Sequence, residues 1–481
     1  MPNKNLATAK NTKNDEFYTQ YEYIQKEVNA YLEYNPDVFR DKTILLPCDD
    51  PDWSNFTKFF AQNFETFGLK KLISTSYAID KKPLQLSLFP SEVEEHSNLY
   101  DAKKTRSHGK LFILDHDINA SGRIDITDLQ MTQYLEGDGD FRCDEVKKLR
   151  DEADIIITNP PFSLYREFVA WLMETDKKYL IIGNLNSVTY REIFPLIMDN
   201  RMWLGATCNG SDMVFGVPKG ATIKQSDREK AARLGYEGDY TRLGNSCWFT
   251  NLDHGRRHQP LSLMTMEENI KFSRHKEIRN RGYQKYDNFN AIEVPFTDAI
   301  PSNFDGVMGV PKSFMEVFCP EQFEIVGVAE SWFGMSTKKY PKQIQVSPKG
   351  KCKQCCSMAL NGGAALTLDG PLDDDTYYIV DGKYYKKVYA RIFIRRKYDK
   401  DREKDILLIQ NRLFRLFCER HKEKYTSAEM EDLFERYGIW DYMRDCYDMF
   451  HIEGDEAIYC ELMASLRHSG ADLCEGTELC D

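Results

Sequence analysis

Residues 157–164, Ile-Thr-Asn-Pro-Pro-Phe-Ser-Leu, set an amide side chain, two prolines and an aromatic ring at the end of an apolar run. This grouping suits the methylation of an exocyclic amine. The amine of adenine is a poor nucleophile because its lone pair is delocalised into the ring. A site that accepts hydrogen bonds from both amino protons, through the Asn159 side-chain oxygen and the Pro160 backbone carbonyl, favours a tetrahedral nitrogen whose lone pair can attack. Pro160 and Pro161 fix the backbone so that both acceptors point the same way, since each ring locks φ and restricts the residue before it. Phe162 offers a face for a base taken out of duplex DNA. The same geometry fits other planar amides and amines, so RNA adenine and protein glutamine stand as alternative substrates. A catalytically silent DNA-binding module on the same scaffold is the alternative from another class.

A methyl donor must bind beside that motif. The stretch GDGDFR, residues 137–142, ends 17 residues before Asn159, with one helix between, which places Asp140 and Phe141 at the end of the preceding strand. An aspartate there can accept a hydrogen bond from a cofactor's adenine amino group while Phe141 packs on the ring. Gly137-Asp138-Gly139 resembles a dinucleotide-binding loop, but no helix of the right length opens behind it. The turn after the first strand reads Cys48-Asp49-Asp50-Pro51 where glycines usually let the backbone approach a cofactor. Its carboxylates suit an amino-acid ammonium group.

These residues need strands to hold them. KTILLPC (42–48), KKLISTSY (70–77), KLFILD (110–115), ADIIITN (153–159), KYLIIGNLN, RMWLGAT and NSCWFTNL read as strands. A polar insert runs to about residue 110. Between strands, SNFTKFFAQNFETFG repeats phenylalanine at helical spacing behind Ser54 as N-cap, CDEVKKLRDE is a short helix, and residues 163–176 form a helix with one apolar face. Alternating strands and helices imply an α/β doubly wound sheet with ligands at the carboxyl ends of its strands. Residues 255–398 change to irregular, Gly- and Pro-punctuated sequence ending in the strand KKVYARIFIRRK, an α+β domain. Residues 399–481 read as a small acidic helical domain, leaving 1–254 as the domain that carries the motif.

The net charge of −12 argues against a nucleic-acid partner until its distribution is examined. Residues 429–481 hold 15 acidic and 3 basic side chains, so this tail carries the whole excess. Residues 254–290 hold 8 Lys/Arg against 4 Asp/Glu, and Arg256, Arg257, Arg279 and Arg281 are the candidate DNA contacts. No metal site is expected. CKQCC (352–356) lacks a second Cys/His pair, DHGRRH (253–258) reads as a DNA-facing or solvated turn, and Glu145 and Lys147 beside Asp140 are spaced wrongly for a nuclease. The thirteen cysteines are expected to be reduced. With neither a run of about 20 apolar residues nor a signal-peptide core, a cytoplasmic protein without membrane association is expected.

Taken in order, KNDEFYT (13–19), CDDPDWSNF (48–56), LISTSY (72–77), GDGDFR, TNPPF, MGVPKSF (308–314) and YARIFIRRK (389–397) resemble the EcoRI-type family of adenine-specific DNA methyltransferases. The resemblance implies a Rossmann-like S-adenosylmethionine-dependent methyltransferase sheet with an α+β target-recognition domain over residues 255–398. It implies methyl transfer to adenine N6 in a short double-stranded DNA site, commonly beside a partner restriction endonuclease. Carried over by position, Asn159, Pro160, Pro161 and Phe162 form the catalytic motif. Asp140 and Phe141 form the cofactor-adenine pocket, Cys48 to Pro51 the cofactor loop, and Phe17, Tyr18 and Thr19 the segment over the methionine end. The strand ending LISTSY carries no acidic residue for the cofactor ribose, so that contact must come from elsewhere. The C-terminal helices lie outside the family pattern, look like a small bacterial domain of unknown function, and suggest a protein partner.

Overall fold

Four short apolar runs, Thr43–Leu46, Lys71–Ser76, Ile155–Thr158 and Lys178–Asn184, form the parallel centre of an eight-stranded sheet. The computed structural model describes residues 17–51, 54–78, 97–207, 213–218, 221–355, 358–397, 400–450, 454–468 and 470. Most of the polar insert (79–96), the N-terminal motif before Phe17, Cys356 and the end of the acidic tail lie outside the described residues. The central strands are buried almost throughout, as parallel strands covered on both faces must be. Antiparallel Lys110–Leu114 and Gln130–Tyr134 extend one edge, and Ser246–Thr250 and Trp203–Leu204 the other. Gln130–Tyr134 has no sequence signature, because a largely exposed edge strand needs little apolar surface.

The winding order positions the site. The chain steps outward from Thr43–Leu46 to Lys71–Ser76, then resumes on the opposite side with Ile155–Thr158. Such a reversal leaves a crevice beyond the carboxyl ends of the two neighbouring strands. Those ends lead directly into Cys48–Pro51 and Asn159–Phe162. A smaller antiparallel sheet, Tyr18–Thr19, Val214–Gly216 and Tyr240–Arg242, brings the N-terminal segment to the same place. The phenylalanine-rich helix is two pieces, Asn55–Gln62 and Phe64–Phe67. Asn63 interrupts it, turning its side-chain amide back onto the Phe59 carbonyl at 2.8 Å.

Residues 255–397 add a four-stranded sheet, ordered Ile292–Glu293, Met308–Pro311, Arg391–Arg396 and Phe323–Val328. They also form a five-stranded sheet around Gln343–Val346 and Lys383–Val388. The fold is thus mixed α/β with several sheets. Met308, Val310, Phe314, Ile392 and Ile394 share one buried core with Ile156, Tyr165, Phe194 and Phe249. Met1–Arg396 accordingly forms one compact unit, with residue 254 inside it, and Lys397–Asp481 a second.

In the second unit the helices Lys400–His421, Ser427–Arg436, Ile439–Asp445 and Asp455–His468 bury Leu413, Phe417, Phe434, Ile439 and Leu462. Ser427–Arg436 and Ile439–Asp445 are parted at Gly438, whose φ of 62° lies in the left-handed region. No helix among the described residues is long and apolar enough to cross a membrane.

Candidate active site at the carboxyl edge of the sheet

Thr158, the last residue of its strand, donates its hydroxyl to Asp49 Oδ2 at 2.6 Å. Ser54 donates to Asp49 Oδ1 at 2.6 Å and also accepts from Phe56 N at 3.1 Å, capping the helix Asn55–Gln62. One carboxylate therefore ties the cofactor-loop candidate, a helix start and the strand before Asn159 into a rigid corner. Asp49 is 5% exposed. Burial pushes its pKa from the ordinary 3.8 up to about 6, with the Ser54 and Thr158 hydroxyls pulling the other way. Burial also raises the pKa of the neighbouring Cys48 thiol, which leaves it a poor nucleophile. The Asp50 backbone carbonyl accepts from Ser54 N at 2.8 Å, and Pro51 is buried behind the turn.

Asn159 is fixed through its nitrogen. Nδ2 donates to the Phe17 carbonyl at 2.7 Å, which decides the orientation of the amide, since only nitrogen can face that oxygen. Its Oδ1 is buried and has no hydrogen-bond partner among the described residues. A buried acceptor left open costs about 1–3 kcal/mol unless something supplies a donor. Beyond it Pro161 holds Leu164 N at 2.9 Å and starts the short turn Phe162–Leu164 that leads into the helix Tyr165–Met173. Phe162 is half-buried and packs with Phe17 (ring centroids 5.5 Å) and Phe215 (6.4 Å). Phe17 meets Phe215 at 6.2 Å, completing an aromatic corner beside the open oxygen.

The N-terminal segment is held from two sides. Tyr18 and Thr19 pair with Gly216 and Phe215, and Asn55 Nδ2 donates to the Thr19 carbonyl at 2.7 Å. The motif, the loop at 48–51 and residues 17–19 thus converge. Asp140 belongs to the same edge, but both its oxygens are held by Arg142, Nε to Oδ1 at 2.8 Å and Nη2 to Oδ2 at 2.7 Å. Burial works against that carboxylate, and the Arg142 bonds outweigh it and lower its pKa. Phe141 is 4% exposed, packed on Phe168 (5.0 Å) and Trp171 (5.7 Å), so it braces the loop from beneath. Thr158, Ser54 and Asn55 stand inside the TNPPF and CDDPDWSNF stretches without a site role given to them there, and Phe215 is a member sequence reasoning missed. Thr158 precedes the motif directly, and that adjacency was its one signal.

The four arginines do not form one surface. Arg256 Nη1 donates to the Ala206 carbonyl at 2.8 Å. Arg257 is 7% exposed, its guanidinium 3.7 Å from the Trp203 ring centroid and bonded to Asn200 Oδ1. Arg279 and Arg281 stand exposed on the short helix Lys276–Arg281.

Type II methyltransferase M.EcoRI of Escherichia coli is 40% identical over 351 residues, 73% of this chain and 94% of that protein. Type II methyltransferase M.MpnI of Mycoplasma pneumoniae is 33% identical over 319 residues, 66% of this chain and 83% of the relative. A Mycoplasma genitalium relative, Type II methyltransferase M.MgeORF184P, is 32% identical over 321 residues, covering 66% and 84%. No solved structure matches the chain. Residues 418–467 match a family described as a protein of unknown function, DUF3791. With residues 5–397 matched to its model, the chain belongs to the family described as adenine-specific methyltransferase EcoRI.

Proposed function

We propose that this chain is a site-specific DNA adenine-N6 methyltransferase that takes its methyl group from S-adenosylmethionine and works on an adenine turned out of the duplex. The observation that carries the reading is the open, buried Oδ1 of Asn159 at the end of a central strand. Asn159 Oδ1 and the Pro160 carbonyl accept from the two amino protons of the target base, and Phe162 gives its ring a stacking face. The Phe17 carbonyl keeps the amide from rotating, so the acceptor is oriented before substrate arrives. The names of the relatives support methyl transfer, and the family description supports adenine.

The residues present fit the donor. Asp49 places a buried carboxyl group where an amino-acid ammonium can be received, and Ser76 leaves a buried hydroxyl without a partner on the adjacent strand end. When bound, S-adenosylmethionine supplies an electrophilic methyl group. In this reading the eight-stranded sheet is the Rossmann-like methyltransferase sheet and residues 1–254 are the catalytic region. Residues 255–398 recognise the target, with Arg256, Arg279 and Arg281 toward the DNA backbone. The enzyme acts in the cytoplasm as part of restriction-modification beside a cognate endonuclease, and residues 399–481 bind a protein partner.

Long-read modification sequencing of DNA from cells expressing the protein, beside cells expressing Asn159→Ala, tests the reading. The expected result is methyladenine at one short motif, absent with the variant. Unmodified DNA from cells holding folded, donor-binding wild-type protein would move the substrate to RNA or protein.

A further inference from the structure

In a doubly wound sheet the acid that holds a nucleotide's ribose hydroxyls ordinarily follows the second strand. Here that strand, Lys71–Ser76, runs into Tyr77 and Ala78, with no acid among the described residues that follow it directly. The structure brings another loop to the same place. The Ala78 amide donates to the Asp138 carbonyl at 2.8 Å, and the Gly109 amide to the Gly137 carbonyl at 2.9 Å. Gly139, with φ of 83°, lies so close to the strand end that a Cβ there would sit 2.5 Å from the Ser76 carbonyl oxygen. Only glycine permits that approach, and it sets the carboxylate of Asp138 beside the strand end.

Two acids of this loop are therefore candidates, and their partners separate them. Asp140 is doubly bonded to Arg142, which also reaches Glu167 at 2.6 Å. Among the described residues Asp138 receives the backbone amide of Asp140 on Oδ1 (3.2 Å) and a long bond from the Tyr77 hydroxyl on Oδ2 (3.4 Å). Asp138 is half-buried, and Ser76 beside it is 1% exposed with an Oγ that has no partner among the described residues. Burial and the neighbouring Asp138 push the Tyr77 pKa up to about 12, so its hydroxyl remains a donor at neutral pH. A vicinal diol supplies two donors to such a carboxylate and can also accept from Tyr77.

We propose that Asp138, oriented by Tyr77, holds the ribose diol of the methyl donor in place of an acid on the second strand. This assignment rests on the reading that the donor is S-adenosylmethionine. It divides the loop into a ligand-binding half, Asp138, and a structural half, Asp140-Phe141, clamped by Arg142 and the helix Tyr165–Met173.

Calorimetric titration of the full chain with S-adenosylhomocysteine, and with its 2′,3′-dideoxy analogue, tests it without reference to turnover. Losing a charged hydrogen-bond partner predicts an affinity about 10- to 100-fold lower for Asp138→Ala with the natural ligand. Removing the diol should cost the wild type a similar factor. Asp138→Ala should bind the analogue as the wild type does, because the pair is already broken, and that retained binding shows the variant is folded. Asp138→Asn, which keeps the acceptor for the Asp140 amide, should behave like Asp138→Ala. Unchanged affinity in the variants, or losses that add independently to removal of the diol, would overturn the assignment. A wild type that binds neither ligand would instead overturn the choice of donor.

Discussion

The edge around Asn159, proposed to take donor and base, and the helix Lys276–Arg281, proposed to face DNA, hold their polar groups under opposite conditions. At the edge, Asp49 and Asn159 Oδ1 are buried before anything binds, and the protein has already met the cost of withdrawing them from water. On the helix, Arg279 and Arg281 are exposed to solvent. Buried, oriented dipoles act strongly and on one geometry, which is what a chemical step requires. Exposed cations act weakly and additively, which suits grip on a phosphate backbone and makes it salt-dependent. Catalysis and DNA affinity should therefore respond to different mutations by very different factors.

The largest effect is expected at Asn159. Removing one oriented acceptor from a buried site should lower kcat by roughly 10²- to 10³-fold in Asn159→Ala, as for other preorganised donors and acceptors. Affinity for S-adenosylhomocysteine should stay within a few-fold of wild type. Single-turnover kinetics with calorimetry separates the two quantities. A variant that turns over normally, or that fails through lost donor binding, would remove Asn159 from the role given to it.

Asp49 sharpens the contrast through pH. Its folded-state pKa is raised to about 6, so in the free protein it gains a proton as pH falls through that value. If its carboxylate receives the donor's ammonium group, affinity should weaken on the acid side of about pH 6, by up to about tenfold per pH unit for one ionisation. Stability moves the other way. A raised carboxyl pKa contributes stability that is present below the ordinary value of 3.8 and lost as pH rises through about 6. Asp49→Asn should flatten both profiles, measured by calorimetry and thermal unfolding between pH 5 and pH 8. An affinity profile equally steep in the variant would assign the ammonium site elsewhere.

These contrasts also explain what could be read in advance. Asn159, Asp49 and the central strands were legible because burial leaves continuous apolar runs, and a proline pair after such a run has few structural uses. Ser54 was legible as a helix cap but not as a partner of Asp49, since that bond depends on how two loops meet. Phe215 was not visible because its strand reaches the site by pairing with Tyr18 and Thr19, far from it in sequence. Arg257 misleads most plainly: composition gives it the same weight as Arg281, while Trp203 and Asn200 draw it into the fold.

The smallest effects therefore decide whether the basic stretch is one surface or two kinds of residue. Arg257→Ala removes a guanidinium stacked at 3.7 Å on Trp203 and its bond to Asn200. A desolvated cation–π pair contributes about 2 kcal/mol, so a lower unfolding midpoint is expected, with the salt dependence of DNA binding unchanged. Arg279→Ala and Arg281→Ala touch only solvent-exposed side chains on a short helix, and the midpoint should hold. Each phosphate contact they lose should reduce the slope of log K against log salt by about 0.9. Fluorescence anisotropy across a salt series, beside thermal melts of the same preparations, reads both. If Arg257→Ala flattens the salt dependence and the exposed pair does not, the DNA follows the Trp203 face and the helix Lys276–Arg281 lies outside the contact.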